Sequence, residues 1–396
     1  MDGVLLINYA IAFFSLFSVN VYLLLYLKHR NDYLKKPESD PGWRPMVSIV
    51  VPAYNEGPYI TESLSSLLKL DYPLDRLEII VVDDGSTDDT FRIARAMEKE
   101  GPIKAYTKKN GGKGAALNFG IKKATGEFIA TMDADSYVTR STINELLPYF
   151  KDPEVMAVTP AVKIRQSGSW LKELQRVEYL MILFSRKLLS FIDSVPVTPG
   201  PFSMFRSSVF EKVGLFHEDN LVEDQEIALR IQSHHFKIRS SLTADVYTEP
   251  PDSMRELLKQ RVRWQRGGFR NFWHYRFMIH PEYGDFGIYS IPVQFATITA
   301  FFTLLGVMVY TILTTPYYLQ YIWFDAFGMS FNLVTFIGAF VFLVTTLFLY
   351  IGVRSFQNER VKFRYLFSFI FFYWYLMLGY NVLFLLKEIR KEGFSW

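Results

Sequence analysis

Residues 77–86 read Leu-Glu-Ile-Ile-Val-Val-Asp-Asp-Gly-Ser, a short apolar run that ends in two carboxylates and a turn. A β-branched run of this length indicates a buried strand. Residues 46–52 and 128–135 repeat the pattern, and the second of these ends at Asp133-Ala134-Asp135. Helical stretches separate the three runs, so we predict a Rossmann-like, mainly parallel α/β sheet with helices on both faces.

Ligands of such sheets bind beyond the carboxyl ends of the strands, so the polar residues after the three runs should meet in one crevice. Residues 52–56, Pro-Ala-Tyr-Asn-Glu, offer an aromatic face and hydrogen-bonding groups that suit a nucleoside. Asp83 and Asp84 either cap the next helix or accept from a base N–H group and ribose hydroxyls. Asp133 and Asp135 are predicted to bind Mg²⁺ or Mn²⁺, which proteins hold with one or two carboxylates plus substrate phosphates.

A glycine-rich turn at residues 109–114 opens the second helical stretch. Its backbone N–H groups and Lys113 could hold a diphosphate, although a solvated loop explains the turn as well. Further along, Glu223 and Asp224 precede a helix at 227–232. They either stabilise the positive end of that helix or include a general base that removes a proton from a substrate hydroxyl.

A Gly- and Pro-rich loop at residues 198–206 follows a predicted amphipathic helix. The apolar stripe of that helix runs from Trp170 to Leu188 and indicates packing against the domain or the membrane surface.

The stretch Ser253–Glu256 predicts a capping box at the start of another helix. On that helix Gln260, Arg263 and Trp264 share one face. Arginine can bind phosphate bidentately and an indole can lie against a sugar ring, whereas a basic helix attracted to anionic lipid is the alternative. The pair Gly267-Gly268 is expected to end the helix.

Four uncharged apolar runs are long enough to cross a bilayer, which needs about 20 residues of helix. They are Val4–Leu27, Ile288–Leu313, Leu333–Val353 and Leu366–Leu386. A cleaved signal peptide is the alternative for the first run, but its basic residues follow the run rather than precede it.

The basic residues at 28–36 and 354–364 should face the cytoplasm by the positive-inside rule. Four spans then place the domain between the first two runs in the cytoplasm and both termini outside. Lys387, Arg390 and Lys391 disagree with this topology, because they would lie outside.

Composition excludes several functions. The chain has no cysteine, which rules out disulfides, thiol nucleophiles and Cys-ligated metals. The net charge of +3 does not favour a nucleic-acid partner.

We expect five segments: an N-terminal transmembrane helix at 1–30, a linker at 31–45, the α/β domain at 46–253, the Gln260–Trp264 helix with a membrane-interface segment at 254–287, and three spans at 288–396.

In their order, these stretches resemble inverting family 2 glycosyltransferases over roughly residues 46–270. The membrane-integrated branch is the most similar; it includes cellulose, hyaluronan, chitin and poly-N-acetylglucosamine synthases and ceramide glucosyltransferase. The resemblance implies a GT-A domain and a nucleotide-diphosphate sugar donor, most often linked to UDP. One departure is Val222, where that branch often has threonine before the two acidic residues.

The resemblance also implies roles for single residues. Asp224 matches the catalytic base, and Asp133 with Asp135 matches the metal-binding pair. Nucleotide binding is expected of Pro52, Tyr54, Glu56, Asp83, Asp84, Lys113 and Asp133. Binding of the acceptor and the diphosphate is expected of Gly200, Phe202, Arg206, Glu223, Gln260, Arg261, Arg263 and Trp264.

The expected reaction is a single displacement in which Asp224 deprotonates an acceptor hydroxyl that attacks the anomeric carbon, with metal and cationic residues stabilising the departing diphosphate. Two acceptors stay open: a β-linked glycan that the protein extends, or a membrane lipid that receives one sugar. A transporter or an inactive scaffold is disfavoured, because the apolar runs carry no charge and the crevice keeps its titratable groups.

Overall fold

The computed structural model describes residues 3–38, 40, 42–165, 168–314, 333–356 and 359–390. Its strands are β1 Val47–Ala53, β2 Leu77–Asp83, β3 Ile103–Thr107, β4 Phe128–Thr131, β5 Ser136–Val138, β6 Val155–Ile164, β7 Ser203–Arg206 and β8 Lys237–Thr248. Its helices are α1 Gly3–His29, α2 Gly57–Leu68, α3 Thr90–Met97, α4 Lys113–Ile121, α5 Thr142–Leu146, α6 Trp170–Ser190, α7 Ser208–Val213, α8 Glu223–Ser233, α9 Met254–His274, α10 Ile291–Thr314, α11 Leu333–Arg354 and α12 Phe363–Ile389.

The strands form one sheet in the order β3-β2-β1-β4-β7-β6-β8-β5. The first four strands pair in parallel, which confirms the three predicted strands and the parallel sheet. Beyond β4 the sheet becomes mixed, because β7 runs antiparallel to both β4 and β6. All seven residues of β1 and of β2 are buried, since helices cover both faces of the sheet.

The helix α9 begins as expected and continues beyond its predicted end. The Ser253 hydroxyl accepts from the Glu256 backbone N–H at 3.2 Å, and the Glu256 carboxylate accepts from the Ser253 N–H, which completes the capping box. The prediction that Gly267 and Gly268 end the helix is wrong, since α9 runs to His274. A Cβ on Gly267 would lie 2.5 Å from a methyl carbon of Val222, so this glycine allows close packing rather than termination.

Among the residues that the structure describes, four helices are long and apolar enough to cross a membrane, as expected: Gly3–His29, Phe286–Tyr310, Phe336–Arg354 and Phe363–Ile389. The helix α6 packs against three of them, α1, α11 and α12. The shared cluster includes Leu25 of α1, Phe184 of α6 and Phe348 of α11, with Phe369 of α12 partly buried against it. The same α6 helix also packs on β6 and β8. It therefore joins the sheet to the apolar helices.

Candidate active site

A cavity of about 360 Å³ lies where the carboxyl ends of the strands meet α6, α8 and α9. It brings together many of the predicted residues, although they are distant in sequence. Those that line it are Lys113, Asp133, Asp135, Gly200, Glu223, Asp224, Gln260, Arg263 and Trp264.

Lys113 lies at the centre of the acidic part of this cavity. Its Nζ is 2.6 Å from Asp133 Oδ1 and 3.0 Å from Glu223 Oε1. Burial lowers the pKa of Lys113, but the Asp133 and Glu223 carboxylates outweigh burial and raise the pKa above its usual value. Gly200 permits this close packing, since a Cβ there would lie 2.6 Å from Lys113 Nζ and 2.7 Å from Asp133 Oδ2.

The carboxylates beside Lys113 carry more negative charge than one lysine neutralises. Burial, and then the charge of Asp133, raise the pKa of Asp135 to about 6. Burial, Asp135 and Asp133 raise the pKa of Glu56 to about 7. A divalent cation would relieve this repulsion, so the site fits the predicted metal. Among the described residues, no group of three or more His, Asp or Glu side chains is arranged to hold an ion without help.

Asp224 lies in the first turn of α8 with its carboxylate in the cavity. Its Oδ1 accepts from the Gln225 N–H at 2.9 Å and its Oδ2 from the Gly200 N–H at 3.4 Å. Burial, followed by the neighbouring Glu223, raises the pKa of Asp224 to about 6, while Lys113 lowers it. A buried carboxylate with a pKa near neutrality suits a general base.

The α9 face presents Gln260, Arg263 and Trp264 to the cavity, as its periodicity predicts. Arg263 Nη1 also donates to the Leu221 carbonyl at 3.1 Å, which ties α9 to the loop before Asp224.

Arg261 does not line the cavity. Its Nε and Nη2 donate to the two carboxylate oxygens of Glu178 on α6, at 2.9 and 2.6 Å. Its guanidinium lies 4.2 Å from the centre of the Trp264 ring. Arg261 therefore connects α9 to α6 and packs against the Trp264 ring, and it does not face the cavity.

The two carboxylates after β2 are buried and have partners within the protein. Asp83 accepts from the Thr107 hydroxyl at 2.7 Å. Asp84 accepts from the N–H groups of Gly111 and Gly112, at 3.1 and 2.7 Å. Two of the N–H groups that were expected to hold a diphosphate therefore donate to Asp84 instead.

Five other predicted residues also lie outside the cavity, and one of them is Glu56, which precedes α2. Pro52 belongs to β1, and Tyr54, about half exposed, follows that strand. Phe202 is fully buried in the core. Arg206 Nη2 donates to the Phe150 carbonyl at 2.6 Å, and its guanidinium lies over the Phe128 ring.

The sequence did not point to two residues of α6 that line the cavity, Tyr179 and Arg186. They are seven positions apart, which places them on one face of the helix. Both residues lie on the side of α6 opposite its apolar stripe. A polar residue there is typical of a solvated helix face, and only the packing shows that the two residues face the cavity.

Comparisons with known proteins agree with this geometry. The family model described as Glycosyl transferase family 2 matches residues 48–214. The poly-beta-1,6-N-acetyl-D-glucosamine synthase of Staphylococcus epidermidis is 29% identical over 360 residues, covering 88% of this chain and 85% of that protein. The synthase of the same name from Staphylococcus aureus strain COL is 30% identical over 252 residues, covering 63% of this chain and 61% of that protein.

One solved structure is similar over most of the chain. It is the mannosyltransferase PcManGT from Pyrobaculum calidifontis in complex with GDP-Man and Mn²⁺, with a TM-score of 0.63 and 23% identity. The match covers 89% of this chain and 100% of that one. At this identity the likeness shows the fold, which is GT-A-like as expected.

Proposed function

Because residues 48–214 form a glycosyltransferase family 2 domain, we propose that the protein is a membrane-bound synthase that extends a β-linked N-acetylglucosamine polysaccharide from a UDP-linked donor. The observation that supports this proposal most directly is one shared cavity. It is lined by Asp224, by Asp133 and Asp135, and by the face of α9 that holds Gln260, Arg263 and Trp264. The two staphylococcal relatives are poly-beta-1,6-N-acetyl-D-glucosamine synthases, which supports the choice of sugar.

The proposed chemistry is one displacement with inversion. Asp224 takes the proton of an acceptor hydroxyl, whose oxygen attacks the anomeric carbon of the donor. The bond to the nucleotide diphosphate breaks on the opposite side, and the diphosphate leaves with the bonding electron pair. An α-linked donor therefore yields a β-linked product.

The departing diphosphate needs positive charge around it. Lys113 and Arg263 line the same cavity and are the cations we assign to this task. Asp133 and Asp135 would hold Mg²⁺ or Mn²⁺, which when bound would neutralise charge on the phosphates. Trp264 offers an aromatic surface against which a sugar ring can lie.

The nucleoside is proposed to lie over the ends of β1 and β2. Tyr54 is exposed there and can stack on a base. The charges of Glu56 and Asp135 interact, so we assign Glu56 to the region between the nucleoside and the metal. Asp83 and Asp84 are buried, so we assign them to ordering the loops beneath the nucleoside.

A panel of donors tests the function directly. Full-length protein purified in detergent is incubated with UDP-GlcNAc, UDP-Glc, UDP-GlcA or GDP-Man, with Mg²⁺ or Mn²⁺ or with a chelator. We expect nucleotide release from UDP-GlcNAc that the chelator abolishes, and a ladder of oligosaccharides. Release of no nucleotide from any donor contradicts a transferase, and one sugar on an extractable lipid contradicts a synthase.

A further inference from the structure

Arg186 of α6 is a buried cation, and part of its hydrogen-bonding capacity is not used by the residues that the structure describes. It is 6% exposed and lines the active-site cavity. Its Nε and Nη1 have no hydrogen-bond partner among the residues that the structure describes. Such a guanidinium has lost water without gaining an acceptor, which destabilises the fold unless a ligand supplies one.

Two neighbouring buried arginines behave differently. Arg176, also on α6, donates to the carboxylates of Glu173 and Glu359. Arg261 of α9 donates to both oxygens of Glu178. Burial of arginine in this region therefore usually comes with a carboxylate partner, and Arg186 is an exception that faces the cavity.

Arg186 lines the same cavity as the proposed base. Burial lowers the pKa of Arg186 to about 10, and the charge of Asp224 acts in the opposite direction. The side chain is therefore still cationic at neutral pH and close enough to Asp224 for their charges to interact. A group held by Arg186 would lie next to the carboxylate that receives the proton.

The charge of the cavity indicates what that group is. Its lining residues include five carboxylates and three cations, counted among the described residues. Two of the cations, Lys113 and Arg263, are already assigned to the donor diphosphate. A divalent metal would balance the excess carboxylates, and the donor diphosphate would then repel an additional phosphate beside Arg186. The oxygens of a neutral sugar would not be repelled.

We propose that Arg186, together with Tyr179 on the same helix face, forms the acceptor subsite: the Arg186 guanidinium donates to oxygens of the neutral terminal sugar, and so holds its attacking hydroxyl at Asp224. This inference rests on the proposed function and adds the residues that select and position the acceptor.

Kinetics with a defined acceptor test the proposal. Full-length wild type, Arg186→Met and Arg186→Lys are assayed with UDP-GlcNAc and increasing concentrations of a β-1,6-linked N-acetylglucosamine tetramer. Loss of hydrogen bonds to a charged donor should raise the acceptor KM about 10- to 100-fold in Arg186→Met. Arg186→Lys keeps the charge and should show a smaller increase. The ratio of transfer to donor hydrolysis should fall in the same order.

Thermal unfolding separates this role from a structural one. Arg186→Met removes a buried charge that has no partner, so its Tm should equal or exceed that of wild type. Arg261→Met is the matched control: it leaves Glu178 buried and unpaired, so its Tm should fall.

Three outcomes would overturn the proposal: an unchanged acceptor KM in Arg186→Met, a fall in its Tm comparable to that of Arg261→Met, or preferential transfer by wild type to a polyprenyl phosphate. Failure of wild type to release UDP from UDP-GlcNAc would instead refute the proposed function.

Discussion

At the scale of the residue, opposing influences act on the carboxylate of Asp224, the general base that we propose. Its burial and the neighbouring Glu223 oppose ionisation, whereas Lys113 and Arg263 favour it. The balance leaves a pKa of about 6, so the carboxylate is ionised at neutral pH and still basic enough to accept a proton. Ionised Asp224 also destabilises the folded state, because its pKa is higher there than in the unfolded chain.

Replacing the base should stop transfer without unfolding the protein. In Asp224→Asn we expect transfer to fall about 10²- to 10⁴-fold, because no group removes the acceptor proton. Nucleotide binding, measured by calorimetry, should persist, and Tm should not decrease, since a destabilising buried charge has been removed. Near-normal turnover in this variant would exclude Asp224 from the role.

The pH dependence of transfer should follow the same group. Below its pKa of about 6 Asp224 is protonated and cannot act as a base. With divalent metal at saturation, kcat/KM should therefore be constant above about pH 7 and decrease about tenfold per unit well below pH 6. A profile that stays flat down to pH 5 would contradict this assignment.

At the scale of the element, the distance between α9 and the loop before Asp224 depends on glycine. A Cβ on Gly267 would lie 2.5 Å from Val222 Cγ2 and 3.2 Å from Leu221 Cβ. At Gly268 the nearest atom would be Gln225 Oε1 at 3.4 Å, the end of a flexible side chain. Only the first glycine is required for the close contact that places the face of α9 over the base.

The two glycines provide a matched pair of variants. Gly267→Ala should push α9 away from Val222, lowering the stability by about 1–3 kcal/mol and reducing transfer. Gly268→Ala should be neutral or stabilising by up to about 1 kcal/mol, because alanine favours helix. Chemical denaturation and transfer assays measure both effects. Equal behaviour of the two variants would show that the close contact does not position the site.

At the scale of the whole molecule, α12 lies along the catalytic domain. Near its start Ser368 accepts from Trp170 Nε1 of α6 at 3.3 Å, and near its end Glu388 pairs with Arg266 of α9 at 2.6 Å. A helix of 27 residues is about 40 Å long, enough to cross a bilayer. Because both ends of α12 contact helices of the catalytic domain, we expect α12 to lie along that domain rather than to cross the membrane.

We therefore predict that the end of α12 lies on the same side of the membrane as the catalytic domain, unlike the outside position expected from four spans. Lys387 and Arg390 would then share a side with the basic residues at 354–364, as the positive-inside rule favours.

Single cysteines test this topology, because the natural chain has none. Lys387→Cys should react with a membrane-impermeant maleimide from the same side as Lys99→Cys, which marks an exposed position on the catalytic domain. Gly3→Cys marks the far end of α1 and should react from the opposite side. Labelling of Lys387→Cys together with Gly3→Cys would show that α12 crosses the membrane.

The sequence by itself determined the features that local patterns encode. The apolar runs at β1, β2 and β4 predicted parallel strands, and the polar residues after β4 were expected at the crevice because strand ends share one edge of a sheet. The face of α9 and its capping box followed from helical periodicity. The apolar helices were predicted from their length and composition, because the thickness of a bilayer requires the length and its interior requires apolar side chains.

Only the tertiary structure decided which polar groups are left for a ligand. Asp84 accepts from the glycine turn, and Arg261 pairs with Glu178. Arg186 has two guanidinium nitrogens with no partner in the described part of the chain. Each outcome depends on a contact between segments far apart in sequence. A sequence shows which groups can form hydrogen bonds, but packing decides which of them the protein satisfies itself.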